Sequence, residues 1–204
     1  MIAFNQFFTE QTRDGKLVVI YPGRFQPAHR GHAQVYNSLV EQYPGADVYV
    51  ATSNKVDEKS PFSFQERKLA LVKAGVPADK IVQVVSPYVA KEITLKYNDL
   101  KDRLIYAVSE KDIDRFSYKP KKDGSPSYFQ KLQDANEMSP LGEKGYIAVA
   151  PVFPFKVLGK NVTSATQIRD MYKHVSEPER KQIIVDLYGR FDDGIYNLFN
   201  KKLK

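Results

Sequence analysis

The sequence predicts an α/β fold: a doubly wound, mostly parallel, Rossmann-like sheet with helices closing the C-terminal part of the chain. Two observations predict it. Short continuous apolar runs, as expected of strands buried on both faces, alternate with segments of helical spacing, and this alternation calls for βαβ units. In addition, a loop shaped by Gly and Pro and carrying two histidines follows the first apolar run. Ligands of such sheets bind outside the carboxyl ends of the strands, where strand order reverses.

Taken in order, Leu17-Val18-Val19-Ile20-Tyr21 is the first buried strand, stopped by Pro22-Gly23. From about Gly31 to Gln42, Val35 and Leu39 with the flanking Tyr36 and Val40 give helical spacing, and Pro44-Gly45 ends the helix. Val48-Tyr49-Val50-Ala51 is the second strand. Ser63-Phe64-Gln65-Glu66 is a capping box that opens a helix through about Ala74, closed by Gly75. The third strand is expected at 81–85, a helix around 91–99, the fourth strand at 104–108 and the fifth at 146–150. Helices are expected from about Ala165, Glu177 and Phe191. The stretch 119–142 carries Pro120, Gly124, Pro126, Pro140 and Gly142 among polar residues and reads as an inserted loop. The expected organisation is one domain over residues 1–174 and a helical extension over 175–204.

Composition bounds the function. At 204 residues, 42% hydrophobic and 27% charged, the chain has a globular profile with room for one sizeable core. It has no cysteine, which excludes a disulfide framework and thiolate-held metals and suits a reducing compartment. No apolar run reaches the length of a bilayer span. Met1 to Lys16 mixes aromatics with Glu10, Arg13 and Asp14, unlike a secretory leader, so the expected location is cytoplasmic. Asn161-Val162-Thr163 matches a glycosylation sequon, which has no role in that compartment. Lys and Arg outnumber Asp and Glu by 31 to 24, giving +7. That excess suits either a polyanionic substrate or a solubilising surface. Much of it lies at Lys119, Lys121, Lys122, Lys201, Lys202 and Lys204, a loop and a tail rather than a binding stripe.

Two constellations carry chemistry. The first is Gly23-Arg24-Phe25-Gln26-Pro27-Ala28-His29-Arg30-Gly31-His32. Pro27 stiffens the approach to the helix, and Gly31 removes a side chain where a phosphate must approach backbone. His29 and His32 are three apart and face the same side of a helix start, where backbone donors and the dipole favour an anion. Two imidazoles there can hydrogen-bond to α-phosphate oxygens. The alternatives for such spacing are a pair of surface histidines or a zinc site, and no third ligand stands nearby with the spacing that zinc needs. The second constellation is Asn161-Val162-Thr163-Ser164-Ala165-Thr166-Gln167-Ile168-Arg169. Ser164 is a good helix cap, hydroxyls cluster beside it, and Arg169 one turn on can reach the same anion with two nitrogens at once. Read alone, this is an ordinary capped helix.

Gly-Arg-Phe-Gln-Pro-Ala-His-Arg-Gly-His resembles the signature of the HxGH, cytidylyltransferase-like nucleotidyltransferase superfamily. Its lead-in is most similar to the nicotinamide mononucleotide adenylyltransferase branch, where Phe commonly stands in place of Ala28. Ser164-Ala165-Thr166-Gln167-Ile168-Arg169 resembles the second motif, S-[GSA]-T-x-[IV]-R, with Thr163 where an aliphatic or aromatic residue is usual. Ser60-Pro61-Phe62-Ser63-Phe64-Gln65-Glu66-Arg67 is similar to N-P-F-T-x-x-E-R, with Ser60 for the leading Asn. Tyr106-Ala107-Val108-Ser109-Glu110-Lys111-Asp112 falls where the family has its nucleotide-contacting turn. The resemblance runs from about Val18 to Met171, and the arrangement also resembles bacteriophage-encoded members, whose location would be the host cytoplasm.

The resemblance implies residue roles. His29 and His32 would stabilise the α-phosphate in flight, while Arg24 and Arg169 would hold the β- and γ-phosphates. ATP would be bound around Gly23, Arg24, Phe25, Gln26 and Gly31 and around Ser164, Ala165 and Thr166. Lys111, Asp112 and Arg67 would contact nucleotide or acceptor. Mg²⁺ would ride on the triphosphate, with no protein ligand. The implied partners are ATP or another nucleoside triphosphate and a phosphorylated small-molecule acceptor: nicotinamide mononucleotide in a NAD-forming enzyme, or a phospho-alcohol or phosphopantetheine in a related cytidylyl- or adenylyltransferase. A class I aminoacyl-tRNA synthetase shares the H-x-G-H idea, but the chain is too short for one and lacks a K-M-S-K-S loop. A non-catalytic nucleotide- or nucleic-acid-binding protein on the same scaffold is the reading from another class. Intact histidines and the lack of a nucleic-acid motif argue against it. No membrane partner is expected. The C-terminal helices either pack on the sheet or extend the interface of a homo-oligomer. Lys55 and Lys59 are further loop cations. Tyr43, Phe64 and Phe153 are aromatics available for stacking or for core, and His174 receives no role.

Overall fold

The structure, a computed structural model, describes residues 15–116, 118, 120–132, 138–162 and 164–204. The leader reading up to Asp14 and the hydroxyl of Thr163 lie outside these residues. The elements are β1 (Leu17–Pro22), α1 (Arg30–Gln42), β2 (Asp47–Thr52), α2 (Phe64–Ala74), β3 (Ile81–Gln83), α3 (Lys91–Thr94), β4 (Arg103–Val108), β5 (Phe129–Lys131), β6 (Gly145–Val149), β7 (Phe155–Val157), β8 (Lys160–Val162), α4 (Ala165–His174), α5 (Glu177–Tyr188) and α6 (Asp193–Leu203).

Six strands form one parallel sheet in the order β3-β2-β1-β4-β6-β5, and β7 and β8 form a separate antiparallel hairpin. The expected doubly wound architecture is therefore present, with every neighbour in the large sheet parallel. Val19 of β1 faces Val48 on one side and Ile105 on the other. Order reverses between β1 and β4, so the crevice at their carboxyl ends is the switch point of the sheet.

The pleat of β1 explains its unbroken apolar sequence. Val19 and Tyr21 enter a core shared with α1, α2, α4, α5 and α6, while Val18 and Ile20 enter a second core on the opposite face with Ile93, Phe116 and Leu141. The C-terminal helices pack on the sheet: Ile183, Ile184, Leu187, Ile195 and Phe199 belong to the first core. Ion pairs Lys73–Asp192 (2.7 Å) and Lys202–Glu66 (3.0 Å) join α6 to α2 and the turn before it.

Several expectations are corrected. Inside the 119–142 stretch, Phe129–Lys131 pair with β6 as the edge strand, and three residues are too few for a periodic signal to stand out. β3 ends at Gln83 because Val85 is exposed and its N–H is taken by the Glu92 carboxylate at 2.8 Å. The helix expected over 91–99 is one turn. Beyond it Asp102 binds the N–H groups of Asn98 and Lys16, each at 2.7 Å, which commits the segment to a turn. The hairpin β7–β8 was not expected. Its turn places Leu158 and Gly159 at φ of 49° and 73°. α2 has the expected Ser63–Glu66 capping box and a left-handed Gly75 at φ 114°.

Candidate functional site

The residues after β1 are built around rings. Phe25 is buried, at φ 50°, and lies edge-on to Tyr21 and to His32, with centroids at 5.4 and 5.0 Å. A Cβ on Gly23 would stand 2.6 Å from the Phe25 ring, so this glycine makes room for that side chain. Gln26 is also buried. Its amide donates to the Phe62 carbonyl at 2.9 Å and accepts from the Phe62 N–H at 3.0 Å. Phe25 and Gln26, expected to contact ATP, thus turn their side chains inward and shape the loop.

His29 is the N-cap of α1 and His32 its third residue, and the two make a reciprocal capping box. His29 Nδ1 accepts from the Gly31 N–H and His32 Nδ1 accepts from the His29 N–H, each at 3.2 Å. A nitrogen that accepts carries no proton, so both imidazoles are neutral and present Nε2–H. Their electrostatics agree. Burial, then the His32 ring and the Arg30 charge, hold His29 well below the ordinary histidine range. Burial pushes His32 down to about 4. The two rings lie 3.8 Å apart, and Phe155 of β7 covers His29 at 4.5 Å. The column Phe25, His32, His29, Phe155 encloses the pair in apolar walls. Gly31 serves this packing: an added Cβ would lie 3.0 Å from His29 Nδ1 and 3.5 Å from Phe155.

The second constellation converges on the first. Ser164 caps α4, accepting from the Gln167 N–H at 3.3 Å. From one turn further, Arg169 donates to the Gln26 carbonyl at 2.5 Å and to Thr166 Oγ1 at 3.2 Å, so α4 is bonded to the histidine loop. Burial and the like charge of Arg24 lower the Arg169 pKa against the pull of Asp170. Two cations and two helix N-termini therefore meet at the carboxyl end of β1, an arrangement that favours a multiply charged anion. Ser164 and Thr166 are exposed at the start of α4, and Ala165 is half-buried there.

The remaining expected contacts fall elsewhere. Arg67 is buried, 2% exposed. It donates from Nε to the Phe62 carbonyl (2.8 Å), from Nη1 to Thr52 Oγ1 (3.0 Å) and the Ser53 carbonyl (2.5 Å), and from Nη2 to the Lys55 carbonyl. Its guanidinium is committed to tying the loop after β2 to α2, which corrects its expected role in ligand contact. Lys111 is exposed on the turn Glu110–Arg115 past β4, and Asp112 accepts from Ser109 Oγ at 2.8 Å in the same turn. Lys55 pairs with Asp57 at 3.3 Å. Tyr43 and Phe64 are core, and Phe153 packs against the core. His174 bonds its own helix at the Asp170 carbonyl. The reading of residues missed Phe155 and Tyr188. The alternation Phe155-Lys156-Val157 before Leu158-Gly159 was the available signal for the hairpin. Tyr188 sits at the end of an ordinary helix and gave none. Among the described residues no group of three or more His, Asp or Glu side chains could hold a metal ion, and no helix is long and apolar enough to cross a membrane.

A parallel sheet with a histidine- and arginine-bearing crevice at its switch point defines an α/β protein with a cleft suited to an anion. Comparison with known proteins narrows this class: the cytidylyltransferase-like family model matches residues 20–171, and the chain belongs to that family. A relative, the tRNA(Met) cytidine acetate ligase of Mycoplasma mobile, is 26% identical over 160 residues, which cover 69% of this chain and 53% of that protein. The bifunctional NMN adenylyltransferase/ADP ribose pyrophosphatase of Francisella tularensis shares the fold, with a TM-score of 0.51 and 18% identity over 91% of this chain and 49% of that one. The chain thus spans about half the length of each.

Proposed function

We propose that the protein transfers an adenylyl group from ATP to nicotinamide mononucleotide, forming NAD and releasing pyrophosphate. The observation that carries the reading is the pair of neutral imidazoles, both presenting Nε2–H, at a helix N-terminus bonded through Arg169 to the second motif. An acceptor phosphate oxygen attacks the α-phosphorus, and the bond to the bridging oxygen of the leaving pyrophosphate breaks. His29 and His32 donate hydrogen bonds to the α-phosphate oxygens as charge moves there. Arg24 and Arg169 bind the β- and γ-phosphates. No protein nucleophile takes part, so catalysis is positioning and charge stabilisation. The donor set at the crevice, imidazoles with Nδ1 already engaged and guanidinium groups, suits phosphate oxygens and does not suit a metal cage. Mg²⁺ would therefore arrive on the triphosphate and supply neutralisation of the leaving group.

A second reading rests on the Mycoplasma mobile relative, whose name places acetate among its substrates. The same α-phosphate chemistry with a carboxylate nucleophile would give an acyl-nucleotide and pyrophosphate. A matrix of nucleoside triphosphates against nicotinamide mononucleotide, phosphopantetheine, a phospho-alcohol and acetate, with Mg²⁺ and pyrophosphate as the readout, separates the acceptors. ATP with nicotinamide mononucleotide should give the dinucleotide by mass. Turnover with another acceptor alone would overturn the NAD assignment. In the productive reaction His29→Ala and His32→Ala should each lower kcat about 100-fold or more with little change in ATP affinity. Equal losses in both quantities would remove the histidines from the transition state.

A further inference from the structure

The carbonyls on either side of Pro27 are both held by residues from the C-terminal part of the chain. Arg169 takes the Gln26 carbonyl, and Tyr188, the last residue of α5, donates its hydroxyl to the Ala28 carbonyl at 2.7 Å in a buried contact. The Ala28 carbonyl belongs to the same peptide plane as the His29 N–H, and that N–H donates to His32 Nδ1 at 3.2 Å. A continuous relay therefore runs from the Tyr188 hydroxyl through the Ala28–His29 peptide to the His32 ring. Fixing one edge of a planar peptide fixes the other, and a hydrogen bond at the carbonyl strengthens the donor at the amide.

We infer that Tyr188 is a positioning residue for His32: through the Ala28–His29 peptide it holds the imidazole in the tautomer that presents Nε2–H to the crevice. Several observations support this assignment. Ala28 is fully buried, so its carbonyl has no solvent substitute for the tyrosine, and Tyr188 is 8% exposed. Burial and the nearby Asp192 raise the Tyr188 pKa, so the phenol keeps its proton and remains a donor at any working pH. Gly189, left-handed at φ 77°, ends α5 directly after the tyrosine. Tyr188 lies outside the segment matched by the family model, which ends at residue 171. The role in turnover rests on the function proposed above, whereas the role in setting the tautomer does not.

The test is Tyr188→Phe, which keeps the ring and removes the oxygen. Its control is Tyr172→Phe, which removes a hydroxyl bonded to Asn200 at 3.1 Å in the same helical layer. The readout is the pair of imidazole nitrogen shifts of His32 by long-range ¹H–¹⁵N correlation on the intact protein, with kcat and KM alongside. Tyr188→Phe should convert a single Nδ1-accepting tautomer into a mixture and lower kcat about tenfold with KM for the triphosphate unchanged. Tyr172→Phe should leave the His32 signals in place. An unchanged His32 signature in Tyr188→Phe, or the same change in both variants, overturns the assignment. A wild-type protein without turnover, whose His32 tautomer still depends on Tyr188, would sink the proposed function and leave this inference standing.

Discussion

At the scale of single residues, a protonated histidine and the cap of α1 exclude each other. Each Nδ1 accepts a backbone N–H, so a proton there removes one capping bond and places a cation among apolar rings. The folded His32 titrates near 4 against 6.5 in an unfolded chain. Above pH 6.5 both states are neutral and the cap contributes fully. As pH falls from 6.5 toward 4 the unfolded chain binds a proton that the folded chain refuses, so stability is lost across that window. Melting temperature measured against pH should decline between 6.5 and 4, and the decline should be shallower in His32→Gln. Parallel curves would mean that other groups set the acid limb. Spacing alone revealed that these two histidines share a face, but not that each caps the helix with its own ring. The sequence marks Gly31 as space for a phosphate, and in the structure an added Cβ there would meet the His29 ring. A glycine is legible as a need for room; what fills the room depends on tertiary packing.

At the scale of elements, local signals worked where local chemistry decides. The capping box at Ser63–Glu66, the glycine at the end of α2 and the apolar run of β1 were all readable, because each depends on neighbours in sequence. The one-turn α3, the edge strand β5 and the hairpin β7–β8 were not. α3 is cut short by a turn that Asp102 ties to Lys16 of the first strand's approach and β5 forms only against β6, both contacts distant in sequence, while three-residue strands leave too short an alternation for β7–β8 to stand out. Arg67 was legible as part of a motif but not as a buried brace. Replacing it with Met would take the Arg67 donor from the carbonyls of Ser53 and Lys55 and leave the Phe62 carbonyl with Gln26 alone. We expect a loss of about 3 kcal/mol or more in urea unfolding, with early proteolysis in 53–62. A variant as stable as the wild type would mean the loop is held by other contacts.

At the scale of the whole molecule, the sheet carries the crevice at the carboxyl ends of its two central strands, and the C-terminal helices pack on one face. α5 and α6 place Ile183, Ile184, Leu187, Ile195, Phe199 and Leu203 in the main core, each at most 2% exposed. At about 1.5–3 kcal/mol per buried side chain, their loss is comparable with the roughly 5–15 kcal/mol that keeps a domain folded. A chain ending at His174 retains the whole family-matched segment, yet it should show no cooperative thermal transition. A sharp transition near the wild-type temperature would show that residues 15–174 fold without the helices. The reach of this packing has a consequence in time. The loop bearing His29 and His32 leaves the ribosome first, and its two carbonyl anchors, Arg169 and Tyr188, lie 143 and 160 residues further along. At roughly 5–20 residues per second, Tyr188 is added about 8–30 s after Ala28. Throughout that interval a nascent chain carries the histidines without their anchors, so the crevice is complete only once residue 188 has been added.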